Sequence, residues 1–471
     1  VDLSLNDFMR VCIVVEGTYP YITGGVSSWI QMLIENMPEI EFDVVHLAPW
    51  KWTRPFGYNM PDNLKHVYEY LLFSADFSKN NIALNERDLV KYLRQLIDLK
   101  EERAKYFSQL LREVVGKNLD YLLLSKSFWD FIEDVYSRYF YEEGFPGFYW
   151  TVMGFVIPIL GALQALPPAA DIYHSTTTGY AVLSALAGKY AHGGKLIVTE
   201  HGIYHREREI EITKSSSIPE VYKKPWIEIF KLISETAYAE CDALTTLFEK
   251  NQLFQFELGA DIGKMHVIPN GVDINKFGRA IKVEHDTFNV AMVGRVVAIK
   301  DILTGIKAFD ILVKEVPNSR LYIIGPYDED EEYYQRCVNL VELLDLKDKV
   351  IFTGKANVLD YYGLMDVLLM SSISEGQPLV QLEAMAAGLP VVVTNVGNCA
   401  EIALDPDGQS GFVVEPKDYV LMAEKLKILA KDKSLRETFA ENGKRVVSEK
   451  YNLEKMISSY KQLYEEVLWR V

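Results

Sequence analysis

The sequence predicts an α/β protein made of two Rossmann-like domains in tandem, facing each other across a cleft, with a helical insertion in the first. Three observations predict it. At 471 residues the chain has room for two or three domains, each with its own core. Both halves alternate short β-rich runs, apolar on both faces, with amphipathic helical stretches, the pattern of a parallel sheet covered on both sides. Hydrophobic residues make up 49% and charged residues 24%, globular proportions that leave no long polar or repetitive stretch to read as disordered.

In the first half the strand runs are VCIVVEG (11–17), FDVVHLAP (42–49), DIYHST (171–176), KLIVTEHG (195–202), ALTTLF (243–248) and MHVIPNG (265–271). These define an N-terminal domain over 1–272, interrupted by an aromatic-rich insertion at about 51–168, whose stretch from Asn85 to Val115 is helical by period and holds neither Pro nor Gly. Within it, 147–170 carries no charge and is long enough to be a membrane span. Glu142, Glu143 and Asp171 flank it and Pro158 interrupts it, which favours a buried helix pair over membrane contact. A linker is expected at 273–287. The second domain, 288–452, has runs at VAMVGR (core 291–295), LYIIG (321–325), VIFTG (350–354), VLLM (367–370), PVVVTN (390–395) and FVVEP (412–416). An outer amphipathic helix is expected over Tyr419 to Lys433, and a last helix, 453–471, can pack on either domain.

A net charge of −17 disfavours broad binding to nucleic acid or anionic membranes, since both present phosphates. Cysteines 12, 241, 337 and 399 lie far apart without C-x-x-C spacing, which indicates neither a zinc site nor a disulfide framework and points to a reducing compartment. The N-terminal stretch lacks the pattern of a signal peptide, so a cytoplasmic protein is expected.

The chemistry concentrates in SEGQPLVQLEAMAAGLPVV (374–392), where Glu375 and Glu383 stand eight positions apart. With Glu375 in a loop and Glu383 on a helix beginning near Pro378, the two carboxylates can address different ends of one extended ligand. Gly376 and Pro378 shape a helix N-terminus whose free N–H groups suit a phosphate, and a carboxylate suits vicinal hydroxyls; capping or surface glutamates are the plain alternative. Arg295 and Lys300 follow the first strand of the second sheet, where ligands of doubly wound folds bind. In the first half Gly24 and Gly25 follow a strand and precede a helix, leaving backbone open to a phosphate or sugar, or simply forming a turn.

His201 ends the strand run LIVTEHG, as a site residue or a core histidine. His174 also lies at a strand end, an acceptor-side candidate, and the hydroxyls Ser175 to Thr178 beside it either bind sugar or cap the next helix. Arg206 and Arg208 suit an acceptor or phosphate, although Glu207 and Glu209 between them also fit a solvated ion-pair strand. Asp328 and Asp330 form a D-x-D, but at an acidic helix start rather than in a metal-site context, so no metal is expected.

The E-x7-E segment, with GRVVAIKD (294–301), IPNGVD (268–273) and TGGVSSW (23–29), resembles the family-4 retaining glycosyltransferases of GT-B fold, in family order across both halves. The resemblance implies an enzyme that moves a sugar from a nucleotide diphosphate with no metal or other cofactor. It implies that Arg295 and Lys300 meet the diphosphate, Glu375 the donor-sugar hydroxyls, Glu383 the ribose and His201 the sugar or β-phosphate. Gly24, Gly25, Gly376, Leu379 and Val380 join the nucleotide-sugar site, with His174 and Arg206 on the acceptor side. Within the family, EGTYPYITGGVSSW, DIYHSTTTGYA and TEHGIYHRER most resemble a cytosolic transferase of exopolysaccharide synthesis.

The implied reaction is hexosyl transfer from UDP-glucose or a UDP-N-acetylhexosamine to a growing polysaccharide. Retention is expected by front-face attack, since no carboxylate nucleophile stands out in the first domain's loops. The implied partners are the nucleotide-sugar donor, the polysaccharide acceptor and an inner-membrane synthase complex docked through the insertion, with no nucleic acid. The alternatives are transfer to a lipid or small acceptor, or a non-catalytic scaffold.

Overall fold

Val, Ile and Leu dominate the runs named above, and such residues extend into strands that are buried on both faces once helices cover the sheet. A computed structural model of the chain describes residues 9–74, 86–98 and 102–469. The chain divides into two units, Val1–Ile268 with Tyr460–Val471, and Pro269–Ser459. The first holds strands β1 (Arg10–Glu16), β2 (Glu41–Ala48), β3 (Leu64–Leu71), β4 (Ile172–Ser175), β5 (Lys195–Glu200), β6 (Ala243–Thr246) and β7 (Met265–Val267). They form one parallel sheet in the order β3-β2-β1-β4-β5-β6-β7. The second unit holds β8 (Phe288–Val293), β9 (Ser319–Ile324), β10 (Val350–Gly354), β11 (Val367–Met370), β12 (Val391–Thr394) and β13 (Gly411–Val414), parallel in the order β10-β9-β8-β11-β12-β13. Each sheet reverses its winding once, between β1 and β4 and between β8 and β11, and crevices at the carboxyl ends of such neighbours are where ligands bind in open α/β sheets.

All twelve expected runs are strands, but the insertion differs from expectation. Its first part is β3, paired in register with β2 through Val44 with Val67 and Val45 with Tyr68, so 51–168 is not wholly helical. The expected helix over Asn85 to Val115 is two helices, Glu86–Asp98 and Arg103–Val114, with Glu102 at φ 56 just before the second; Asn85 and 99–101 lie outside the described residues. The uncharged segment is one helix, Phe145–Gln164, rather than a pair, and Pro158 lies inside it. Gly161 lets this helix press on the chain after β3, where a Cβ would stand 2.4 Å from the Leu72 carbonyl oxygen. The helix is long and apolar enough to cross a membrane, yet 39% of its most apolar stretch is buried, and Trp150 on it is 70% exposed. It is a half-covered surface helix rather than a core one. The expected linker, 273–287, belongs to the second unit and opens with the short helix Ile274–Phe277.

The last helix, Leu453–Trp469, counts with the first unit from Tyr460 onward. There it completes a buried polar chain. His174 Nδ1 meets the Tyr464 hydroxyl at 2.8 Å and its Nε2 meets Thr199 Oγ1 at 2.7 Å, while Thr199 Oγ1 lies 2.6 Å from Thr245 Oγ1. His174 is fully buried, and this burial, reinforced by nearby His201, pushes its imidazole down to about 3. Folding therefore keeps it neutral where the unfolded chain, titrating near 6.5, takes up a proton, so its contribution to stability is lost as pH falls from about 6.5 toward 3. Tyr464→Phe is expected to cost about 1–3 kcal/mol by orphaning a buried imidazole nitrogen. In urea unfolding, the stability gap between the wild type and His174→Gln should narrow as the pH is lowered from 7 to 5; a gap that widens would contradict a neutral, fully bonded His174.

Candidate active site

In the second unit the crevice between β8 and β11 is assembled by backbone before any charge is placed in it. The loop after β11 is tied to the loop after β8: Ile373 N–H donates to the Ile299 carbonyl at 2.8 Å, and Ser371 Oγ donates to the carbonyls of Lys300 and Asp301 at 3.1 and 2.8 Å. Asp301 takes the left-handed conformation, φ 46, where the first loop turns into the helix Ile302–Glu315. Gly397, at φ 55, lets the loop after β12 lie against Gly376, since a Cβ there would stand 2.0 Å from the Gly376 carbonyl oxygen. Asn270, from IPNGVD, bonds the other side of the same loop, its N–H to Gln377 Oε1 at 2.5 Å and its amide to the Gln377 carbonyl at 3.1 Å. The two motifs thus form one structural piece.

On this frame Lys300 and Glu375 come together. Lys300 Nζ lies 2.6 Å from Glu375 Oε1, which also accepts from Ser372 Oγ at 2.6 Å. Their side chains are 23% and 11% exposed, sheltered enough to strengthen the pair yet open to a ligand. The helix Leu379–Ala386 begins beside them with Pro378 at its cap and no side-chain cap, so Leu379 and Val380 present first-turn backbone. Glu383 stands on the second turn of that helix, its Oε2 accepting from the Tyr362 hydroxyl at 3.4 Å. Desolvation pushes its carboxyl up to about 7, against the opposing pull of Lys276 and of the Tyr362 hydrogen bond.

Arg295 is engaged elsewhere. Its guanidinium pairs with Glu329 at 2.5 and 2.7 Å, with the two side chains 41% and 48% exposed, so water screens the pair and it is easily exchanged. Asp330 caps the helix Glu331–Leu343 by accepting from Tyr333 N–H at 3.0 Å, the role its acidic setting suggests.

The first unit's crevice is arranged differently. Gly24 and Gly25 open the helix Gly25–Glu35, which has no side-chain cap, and an added Cβ on either would meet nothing within 4 Å. Space is open at both Cβ positions, while the Gly24 N–H already donates to the Tyr58 hydroxyl at 3.3 Å. His201 lies one residue past β5, against the edge of Trp29 at a ring separation of 4.7 Å. Its buried Nε2 has no hydrogen bond among the described residues, and burial pushes its imidazole down to about 4, so it is neutral near pH 7.

Two expectations for this crevice are overturned. His174 is a core histidine with both nitrogens occupied and cannot meet an acceptor. The neighbouring hydroxyls are consumed inside: Thr177 Oγ1 donates to Glu16 Oε1 at 2.9 Å and Thr178 Oγ1 to Glu200 Oε1 at 2.9 Å. HRERE lies on the helix Tyr204–Lys214 and not on a strand; Arg206 is exposed and stacks 3.6 Å over Phe254, and Arg208 pairs with Glu211 at 2.8 Å. Sequence reasoning also missed Glu16 and Glu200, two carboxylates at the carboxyl ends of β1 and β5. Glu16 Oε1 accepts from Ala181 N–H at 2.8 Å, while Glu200 Oε2 accepts from Tyr238 at 2.7 Å and Gln255 at 2.9 Å. Burial pushes both carboxyls up, and their oxygens are bound within the fold.

Comparison with known proteins follows the same division. Residues 9–263 match a family described as a domain of unknown function, DUF3492, and residues 273–446 match glycosyl transferases group 1. The chain is 29% identical over 317 residues to UDP-Gal:alpha-D-GlcNAc-diphosphoundecaprenol alpha-1,3-galactosyltransferase of Escherichia coli, covering 63% of this chain and 76% of that protein. It is 28% identical over 207 residues to the capsular polysaccharide biosynthesis glycosyltransferase CapM of Staphylococcus aureus, covering 42% of this chain but only 53% of that one. The fold is similar to that of Anabaena HepE, solved in complex with UDP and glucose, with a TM-score of 0.62 at 14% identity over 97% of this chain and 99% of that one. The chain therefore belongs to the DUF3492 family, continues into a glycosyl transferases group 1 domain, and is a glycosyltransferase of GT-B fold.

Proposed function

We propose that the chain is a retaining hexosyltransferase that takes a hexose from UDP-glucose or a UDP-N-acetylhexosamine and adds it to a growing exopolysaccharide in the cytoplasm, at the inner face of the membrane. The observation that carries this reading is the Lys300–Glu375 bond in the β8/β11 crevice beside an uncapped helix N-terminus. A cation and free N–H dipoles suit a departing diphosphate, and a carboxylate suits sugar hydroxyls. The E. coli relative's UDP-galactose donor and the HepE complexes with UDP support a uridine nucleotide. CapM, together with the resemblance of the first-half motifs to PelF of Pel exopolysaccharide synthesis, supports a polysaccharide acceptor and a membrane synthase as partner. The diphosphoundecaprenol acceptor of the E. coli relative and the half-covered helix Phe145–Gln164 favour a second reading, transfer to a lipid-linked acceptor.

In this reading Lys300, together with Arg295 released from the screened Glu329 pair, offsets the charge that develops on the β-phosphate without a metal. Glu375 accepts from donor-sugar hydroxyls and Glu383 from the ribose. The bond from the anomeric carbon to the phosphate oxygen breaks, and the acceptor oxygen bonds to the same face. The acceptor's proton passes to the departing phosphate. Glu16 and Glu200, already bound by their neighbours, support this front-face course over a covalent intermediate.

Lys300→Ala is expected to lower kcat/KM by about 10²–10³, the scale of losing one group that stabilises transition-state charge. Transfer from UDP-glucose and UDP-N-acetylhexosamines, assayed with and without EDTA, checks both claims: activity should survive chelation, and loss restored by magnesium or manganese would contradict the metal-free course. Because the Glu383 carboxyl titrates near 7 and ribose hydroxyls bind its ionised form, UDP affinity should rise as pH increases through about 7. Calorimetric titration of UDP should show a steeper slope in the wild type than in Glu383→Gln, where the UDP phosphate alone still titrates.

A further inference from the structure

The aromatic residues that open the insertion are not absorbed by the donor reading. The loop after β2, PWKWTRPFGYN, folds back over the loop after β1: Gly57 N–H donates to the Pro20 carbonyl at 2.8 Å, and the Tyr58 hydroxyl lies 3.3 Å from Gly24 N and 3.2 Å from Ser28 Oγ. This carries Trp52 and Phe56 onto Tyr21. The rings of Tyr21 and Trp52 are nearly parallel and stacked, 13° apart at 5.7 Å, and Phe56 meets Tyr21 edge-on at 5.2 Å. Arg54 lies 5.1 Å over Trp52 and makes no ion pair among the described residues. Phe56 is 44% exposed.

Polar groups line the same cluster. Tyr21 donates to Glu69 Oε2 at 2.8 Å, which, with desolvation as the larger cause, pushes its hydroxyl up to about 12. His46, the register partner of Glu69, is fully buried with its ring 5.1 Å from Tyr21; neither ring nitrogen makes a hydrogen bond among the described residues, Glu69 Oε2 being 3.6 Å away. The buried Trp52 Nε1 is also without one.

Phe56 leaves the cluster partly open to solvent, and an occupant there must suit both a π face and hydrogen-bonding groups. A pyranose does so, with C–H bonds along its faces and hydroxyls around its rim. The cluster lies at the carboxyl ends of β1, β2 and β3, the edge of the sheet where ligands of open α/β folds bind. We propose that Trp52, Phe56 and Tyr21 form a platform for a sugar of the acceptor glycan, with Arg54 swinging off the Trp52 face to donate to its hydroxyls. This rests on the reading of the chain as a transferase acting on saccharide acceptors. The role is binding rather than catalysis, because none of these residues belongs to the donor site.

The test uses the whole chain, with cello- and chito-oligosaccharides from disaccharide to hexasaccharide as probes and UDP-glucose and UDP-N-acetylglucosamine as donors. Three readouts are needed: saturable change in tryptophan fluorescence on adding oligosaccharide, acceptor KM, and donor hydrolysis without acceptor. Trp52→Ala and Phe56→Ala are each expected to raise the oligosaccharide Kd or KM about tenfold, with UDP affinity and donor hydrolysis unchanged. Arg54→Ala, on an exposed side chain, should give a smaller rise and guards against a folding artefact at Trp52. Unchanged acceptor KM in all three variants overturns the platform, as does an absence of saturable oligosaccharide binding by wild type that still binds UDP. A wild type that neither binds UDP nor hydrolyses either donor fails the functional reading itself, a result distinct from failure of the platform.

Discussion

A parallel sheet that reverses its winding order must leave an uncovered crevice, because the crossovers on either side of the reversal depart to opposite faces. In the second unit that crevice separates β8 from β11, and the residues of its site either line it or fix the loops that do. The main-chain bond from Ile373 to Ile299, and those from the Ser371 hydroxyl to two carbonyls, tie the two loops that border the gap. The close approach of Gly376 and Gly397 and the clamp from Asn270 fix its floor. Only then does a 2.6 Å contact between Lys300 and Glu375 become possible for residues 75 apart in sequence. The charges are a consequence of the backbone geometry.

The two crevices differ in electrostatic character although they share a topology. In the first unit burial keeps His174 and His201 neutral near pH 7 and pushes the Glu16 and Glu200 carboxyls up, and both are tied to neighbours within the fold. The second unit keeps a cation and a carboxylate at hand in a partly open setting. The difference follows from how completely each unit satisfies its own polar groups.

Strands were legible because both-face burial leaves unbroken apolar runs. β3 escaped because it is an edge strand: LKHVYEYL is only half-buried along most of its length and reads as part of an aromatic insertion. Glu375 with Glu383 was legible because local spacing on a loop and its following helix survives folding unchanged. Their partners were not, since Ser372 is close by but unremarkable and Tyr362 is brought in by tertiary packing, as is Glu329, the partner of Arg295. The two histidines show how little separates a position inside a strand from one just past its end. His174 lies inside β4 with its ring in the core, while His201 stands one residue beyond β5, and a pattern of apolar residues does not locate a strand end to one position. Pro158 suggested a break, but the helix continues through it.

The terminal helix bears on the order in which the molecule is made. Residues 269–459 are contiguous and can close their own core as soon as they leave the ribosome, whereas the first unit also needs residues from Tyr460 on. Until Tyr464 arrives, His174 and the threonines beside it have no hydroxyl to complete their chain. The part synthesised first is therefore the part finished last, and during translation its sheet waits, incompletely plugged, for nearly two hundred further residues to be added.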